Sequence, residues 1–362
     1  MLGIYAGSFD PLTNGHMEII RQAAGVFEKV VVLVAANPGK QHWLSIYERK
    51  NIVEEAVSGL AEVDILAGVD TSAGYAFRRG GCLVRGLGEF TDYPYEKNLL
   101  GINSRLRPEV ETVFLMSKSP ESQMRSSSVR EAIKYPFGWR SIRDAVPRAT
   151  FNAVALNLLG GRDIWLSRLI EKTDLSRYQS RAYHNLEHLL YMFEMAEIWG
   201  GPDRESKLLN LWTAIIYHDL LVDSDPDVNP GQDVSSSLAL LDGAGLLEDS
   251  RKAVEDLIRV TDHKDFSLVV DKKMTPDQEL MAKLDLAVLG ETPYEYARYS
   301  RAIREEYAPK YGYLSDGFRE GRQKFLKTML NRLQAGPLIN EEYDRRMAVN
   351  FDWELGQLAQ GR

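Results

Sequence analysis

Along residues 2–134, short apolar runs alternate with stretches of helical spacing, and this alternation restricts the fold more than any other feature. Residues 2–6, 29–36, 63–66, 82–85 and 111–116 read as strands, and 16–27, 48–60, 94–106 and 126–134 as helices. The second run has an uninterrupted Val-Val-Val-Leu-Val core, the signature of a strand covered on both faces. Strands separated by helices pair in parallel, so the first half is expected to be an α/β, doubly wound sheet of Rossmann-like type. Ligands of such sheets sit at the carboxyl ends of the strands, near the switch point. Beyond Asp163 the strand signal is lost, and apolar residues recur at helical spacing over 164–173, 184–198, 206–217, 234–241, 251–261, 276–289, 294–307 and 316–334. The second half is therefore expected to be all-α. The Gly160-Gly161 pair stops a helix and predicts the border between domains at 1–160 and 161–362.

Composition narrows the function classes. Residues 1–160 carry 18 Lys and Arg against 17 Asp and Glu, and the remainder carries 26 against 35. Neither half has the basic footprint of a protein that binds long nucleic acid, whereas local binding of small anions stays open. The single cysteine, Cys82, excludes an internal disulfide framework and suits a reducing compartment. There is no apolar run long enough for a membrane span, and the N-terminus reads as a strand entering a turn rather than a leader. A cytoplasmic protein without membrane or nucleic-acid partners is the expectation. Cys82 lies in an expected strand and reads as core.

The most informative stretch is Gly7-Ser8-Phe9-Asp10-Pro11-Leu12-Thr13-Asn14-Gly15-His16. A turn with two glycines joins the first strand to a helix, so its N–H groups, the Ser8 hydroxyl and the His16 imidazole can meet one phosphate. Lys40 follows the second strand, with His42 close behind. Arg85-Gly86 follows the strand ending at Val84, and Ser126-Ser127-Ser128 opens a helix. Phosphate-competent groups thus recur at successive loop ends of one sheet.

The order of these residues resembles the phosphopantetheine adenylyltransferase family of nucleotidyltransferases over roughly residues 1–158. The resemblance is carried by GSFDPLTNGH at 7–16, YERK at 47–50, LVRGLGEFTDYPYE at 83–96, ETVFLM at 111–116 and RSSSVREA at 125–132, and Val146-Pro147 with the helix after it fits the family's end. It implies transfer of AMP from ATP to 4′-phosphopantetheine, giving dephospho-CoA and pyrophosphate, with Mg²⁺ accompanying ATP and homo-oligomers common. Carried over, His16, Lys40 and Arg85 are the catalytic set. Gly7, Ser8, Phe9, His16, Gly86, Glu96, Ser126, Ser127 and Ser128 bind the nucleotide, and Ser8, Lys40 and Arg85 the acceptor. One departure is pointed: the family's usual RGLR reads Arg85-Gly86-Leu87-Gly88 here. Either Arg78, Arg79 or Arg125 compensates, or the acceptor differs, for example a nicotinamide mononucleotide or a modified pantetheine.

In the second half, three of the six histidines fall in Tyr183-His184-Asn185-Leu186-Glu187-His188 and Tyr217-His218-Asp219. His184 and His188, four apart, are expected on one helix face. Asp285 stands in the apolar stretch Leu284-Asp285-Leu286-Ala287, where a carboxylate needs a partner or a metal. Histidines with acidic residues on neighbouring helices suit a divalent cation. The set resembles the HD superfamily of metal-dependent phosphohydrolases, in the branch with YHN, a following HD and a D-L-x-x-L-G segment, and Arg304-Glu305-Glu306-Tyr307 and Gly321-Arg322 continue that pattern. It implies an all-helical HD domain in which His184, His218, Asp219 and Asp285 bind the metal (Mn²⁺, Mg²⁺ or Fe²⁺) and His188 and His263 face substrate phosphate. Departures are Gln232-Asp233, where the branch has an Asn-Glu pair, and Lys283, where it often has an acid. The expectation is thus a bifunctional enzyme, with a catalytically silent, regulatory HD domain as the alternative.

Overall fold

The computed structural model describes residues 1–36, 41–66, 70–88, 93–118, 124–200, 205–229, 231–262 and 274–360. It divides into two units, Met1–Ala155 and Leu156–Arg362. The division falls inside a helix, Arg148–Gly160, that runs up to the Gly160-Gly161 pair.

In the first unit, strands β1 (Leu2–Gly7), β2 (Lys29–Ala35), β3 (Glu62–Leu66), β4 (Gly81–Leu87) and β5 (Thr112–Met116) form one sheet in the order β3-β2-β1-β4-β5. All four pairings are parallel, with Leu2 opposite both Lys29 and Gly81. The chain winds outward through β2 and β3, then returns to lay β4 on the other side of β1, so the switch point lies between β1 and β4. Burial on both faces explains the unbroken apolar runs. Val30, Val32 and Val34 pack with Tyr5, Val84 and Ile20 on one face, while Val31 and Leu33 pack with Ile4, Leu83 and Ala76 on the other.

The crossovers are helices α1 (Asn14–Val26), α2 (Ile46–Ala56), α3 (Ser72–Arg79) and α4 (Tyr93–Leu106), followed after β5 by α5 (Ser126–Ala132), α6 (Trp139–Ile142) and α7 (Arg148–Gly160). Helix α2 starts where Ser45 and Glu48 form a capping box. Helix α3 was not expected: its eight residues carry Gly74 and two adjacent arginines, a weak pattern, but Thr71 caps it and Gly80 at φ 63° ends it.

The second unit is helical throughout its described residues: α8 (Ile164–Lys172), α9 (Ser176–Ser180), α10 (Leu186–Gly200), α11 (Glu205–Tyr217), α12 (Asp233–Ala239), α13 (Glu248–Arg259), α14 (Pro276–Leu286), α15 (Pro293–Tyr311), α16 (Asp316–Ala335) and α17 (Glu341–Ala359). Helix α17 lies beyond the expected elements; Asn340 caps it, and Met347, Phe351 and Leu358 bury it against Tyr296, Leu326 and Met329. Helix α10 begins at Leu186 because the Asn185 Oδ1 accepts the Glu187 and His188 N–H groups. His184 therefore precedes the helix, and the shared helix face expected for His184 and His188 does not form. Among the described residues no helix is long and apolar enough to cross a membrane.

Candidate functional site

The loop leaving β1 is built around two tight approaches. A Cβ on Gly7 would stand 2.9 Å from the Phe9 ring, and one on Gly86 of β4 would stand 2.8 Å from Ile19 and 3.2 Å from the Tyr5 hydroxyl. Phe9, at φ 45°, buries its ring edge-on to Tyr5 and His16, with centroids 5.4 and 5.2 Å away. Phe9 thus supports the loop from beneath and is not among the residues that line the cavity.

The rest of the loop is fastened by remote residues. Asp10 accepts the Trp43 and Leu44 N–H groups, each at 3.0 Å. Arg49 is 2 % exposed and donates to the Ser8, Ala35 and Leu44 carbonyls at 2.6, 3.0 and 3.2 Å. From α5, Arg130 donates to the Asp10 carbonyl and the Ser126 hydroxyl to the Pro11 carbonyl. Thr150 of α7 donates to Leu12.

A cavity of about 780 Å³ opens at the carboxyl ends of β1 and β4. Ser8, His16, Arg85, Gly86, Glu96, Ser126 and Ser127 line it, with Gly7, His42, Gly88 and Arg125. Ser128 is exposed and does not join the wall, because the start of α5 turns it away from Ser126. Lys40 lies outside the described residues. His16 Nδ1 accepts the Thr13 N–H at 3.0 Å. A backbone N–H can only donate, so the ring proton of neutral His16 sits on Nε2. Burial pushes the His16 pKa down to about 4, so the ring is neutral at pH 7. Arg85 grips Glu96 through Nε at 2.6 Å and Nη2 at 2.9 Å, and donates from Nη1 to the Ala6 carbonyl at 3.1 Å. The arrangement supplies fixed donors beside a balanced guanidinium–carboxylate pair, which suits binding and orienting a polyanion. Arg78 and Arg79 pair with Asp70 and Glu62 and lie off the cavity wall.

In the second unit, His188, His218, Asp219 and Asp285 each turn one ligand-type atom to a common point, all within 4.8 Å of one another. Three of the expected ligands, His218, Asp219 and Asp285, are in this group, and the fourth member is His188, expected to face substrate, rather than His184. The His188 Nε2 and His218 Nε2 atoms are 3.3 Å apart, and the Asp285 Oδ1 is 3.6 Å from both. His218 Nδ1 donates to the Ile215 carbonyl at 2.9 Å, which leaves the neutral ring's Nε2 lone pair facing the Asp219 Oδ2 at 2.9 Å. Two imidazoles and two carboxylates that converge in this way form a donor set that fits a divalent metal.

His184 sits beside this cluster, its Nε2 3.7 Å from Asp219 Oδ2 and its Nδ1 2.5 Å from Glu306 Oε1. Glu306 also accepts the Tyr183 and His184 N–H groups and the Ser224 hydroxyl. Burial opposes the Glu306 charge, but His184 and the backbone donors hold its pKa down to about 2. Arg181 donates to the Asp219 and Leu220 carbonyls at 2.6 and 2.8 Å and so fixes the turn after His218. Gln232 precedes α12, Asp233 opens it, and Lys283 lies on α14, none of them in the cluster. His263 lies outside the described residues.

Residues 4–132 match the cytidylyltransferase-like family. The phosphopantetheine adenylyltransferase of Alkaliphilus metalliredigens is 34% identical over 155 residues, 42% of this chain and 97% of that protein. That of Streptococcus pneumoniae is 40% identical over 136 residues, 37% of this chain and 84% of its own length. The chain belongs to the phosphopantetheine adenylyltransferase family. Among solved structures, that of NadR protein in complex with NAD and AMP-PNP is 14% identical, with a TM-score of 0.31, covering 85% of this chain and 96% of that one.

Within the adenylyltransferase-family unit, sequence reasoning missed Arg49, Asp10 and Arg130 as the residues that fasten the β1 loop. Arg49 and Asp10 stood inside the quoted YERK and GSFDPLTNGH stretches and Arg130 inside RSSSVREA, yet spacing says nothing of contacts across 41 or 120 positions. Glu306 and Arg181 were missed for the same reason. Asn185 was a usable signal, since Asn is a preferred helix cap and marks the start of α10.

Proposed function

We propose that the N-terminal unit transfers AMP from ATP to 4′-phosphopantetheine, giving dephospho-CoA and pyrophosphate. The observation that carries this reading is the identity of 34 and 40% to phosphopantetheine adenylyltransferases, over 97 and 84% of their lengths. The cavity chemistry supports it. Phosphoryl transfer by in-line attack needs positioning and charge stabilisation more than a covalent intermediate. His16 offers an Nε2–H donor that its Nδ1 bond to Thr13 keeps in one tautomer, and the Ser8 and Ser127 hydroxyls offer further donors. Mg²⁺ would accompany ATP. The test is product formation with ATP, Mg²⁺ and 4′-phosphopantetheine. Wild type should release pyrophosphate and dephospho-CoA. His16→Ala should lose roughly 10²–10³-fold in kcat, the usual cost of removing one donor to developing charge. ATP binding without product would replace the acceptor, nicotinamide mononucleotide being the next to try.

A second reading is favoured by its own observation, the His188–His218–Asp219–Asp285 cluster. We infer that the C-terminal unit is an HD-type metal-dependent phosphohydrolase, in which those residues hold a divalent cation such as Mn²⁺, Mg²⁺ or Fe²⁺. When bound, such a cation acidifies water and polarises a phosphoryl oxygen. Against the opposing effect of burial, Glu306, which takes the His184 Nδ1–H, and Asp219 raise the ring's pKa, so the imidazolium form turns an Nε2–H toward the cluster that it can pass to a leaving oxygen. Mn²⁺-stimulated phosphate release from simple phosphate esters is the expected activity. Its absence in protein that still binds Mn²⁺ would favour a regulatory module.

A further inference from the structure

We propose that Tyr183 is a positioning residue of the His188–His218–Asp219–Asp285 cluster: its hydroxyl holds the His188 imidazole in the one neutral tautomer that can bind a cation. The proposal rests on the reading of that cluster as a metal site and adds a residue to it.

Both imidazoles of the cluster turn Nε2 inward, 3.3 Å from each other and 3.6 Å from the Asp285 Oδ1. A neutral imidazole offers a lone pair on one nitrogen only when its proton sits on the other. For His218 the backbone places that proton, Nδ1 donating to the Ile215 carbonyl at 2.9 Å. For His188 the corresponding partner is a side chain, the Tyr183 hydroxyl, 3.2 Å from Nδ1. A phenol oxygen accepts as well as donates, so it can take the Nδ1–H and leave Nε2 bare. The His188 side chain is 1 % exposed, so bulk water cannot replace that partner. Without the hydroxyl, the ring would bury an unbonded Nδ1–H, which is costly. The other tautomer avoids that cost by carrying the proton on Nε2, where the Asp219 Oδ2 and Asp285 Oδ1, each 3.6 Å away, can accept it. A proton on that nitrogen blocks its bond to a cation.

The mounting of Tyr183 suits the task. Its N–H donates to the Glu306 Oε2 at 2.7 Å, and its ring stands edge-on to Tyr299, with centroids 4.7 Å apart. The Tyr299 hydroxyl accepts from Arg322 Nη1 at 3.0 Å, and Arg322 donates from Nε and Nη2 to the two carboxylate oxygens of the fully buried Glu354. The backbone and the ring of Tyr183 are thus fixed separately, by residues of α15, α16 and α17, none of which carries a member of the cluster. A hydroxyl held from those helices selects the orientation of the His188 ring as well as its tautomer.

The experiment titrates the full chain calorimetrically with Mn²⁺ and records the electron spin-echo spectrum of the Cu²⁺-loaded chain. The proteins are wild type, Tyr183→Phe, Tyr299→Phe and His188→Ala. Tyr183→Phe keeps the ring and should bind Mn²⁺ about 10–100-fold more weakly, the usual cost of removing the partner behind a ligating histidine. Tyr299→Phe keeps its ring against Tyr183, loses a hydroxyl that faces Arg322 instead, and should bind Mn²⁺ as wild type does. The spin-echo spectrum reads the remote nitrogen of each imidazole on Cu²⁺. Wild type should show two hydrogen-bonded remote nitrogens. Tyr183→Phe should alter the one that His188→Ala removes, an effect that looser packing alone does not produce. Wild-type Mn²⁺ affinity in Tyr183→Phe overturns the proposal, as does an unaltered spin-echo spectrum or an equal weakening in Tyr299→Phe. Failure of wild type to bind either ion overturns the metal reading, and the role of Tyr183 with it.

Discussion

His16 illustrates how much one residue's surroundings set its chemistry. Its Nδ1 is spent on the Thr13 N–H, and burial lowers its pKa to about 4, so the ring acts as a neutral donor rather than a cation. The sign of the pH effect follows. A histidine of ordinary pKa about 6.5 takes up a proton when unfolded that the folded chain refuses, so stability is lost as pH falls from about 6.5 to about 4. The urea midpoint of wild type should fall over that window more than that of His16→Ala, and no such difference should develop above pH 7. Gly7 gives a second prediction at this scale. A methyl there meets the ring of Phe9, which is 1 % exposed and has nowhere to go. Gly7→Ala should cost about 1–3 kcal/mol, the usual price of overpacking, measured by urea unfolding.

Between elements, the β1 exit loop is only as rigid as its fastenings. Arg49 on α2 satisfies carbonyls at the ends of β1 and β2 and before its own helix. Arg49→Ala strands those acceptors and should destabilise the chain by about 2–4 kcal/mol in urea unfolding, since bonds from a charged donor are the strong ones. On the α10 side, the roles of the two neighbouring histidines separate. His188→Ala should lower bound Mn²⁺ by metal analysis, whereas His184→Ala should keep the metal and lose phosphate release. That separation also marks the limit of what the sequence discloses. The strands of the sheet and the glycine turn were legible, because burial on both faces leaves an unmistakable apolar run in β2 and a turn at the end of β1. The place of His184 ahead of α10 was not read. Four-residue spacing predicts a shared face only if the helix already exists at the first position, and Asn185 starts α10 after His184. Helix α3, with weak spacing and a glycine inside it, owes its existence to Thr71 and to packing of Ala73 and Ala76 against the sheet, neither of which periodicity reports.

For the molecule as a whole, the two candidate sites draw on residues of different units, so perturbing one should leave the other's ligand untouched. Mn²⁺ should raise the melting temperature of wild type and not that of His218→Ala, because only a folded cluster gathers the ligands, while the affinity for ATP should be the same in both. The Asp10 carboxylate has a consequence that reaches across the N-terminal unit. It holds the amides of Trp43 and Leu44, which lie in an irregular stretch before α2, while its own carbonyl is held from α5. Those two amides can exchange with heavy water only when the Asp10 carboxylate lets go of them. In deuterium labelling they should therefore keep their protons in wild type far longer than in Asp10→Ala, in a stretch of chain where exchange within seconds would otherwise be the rule.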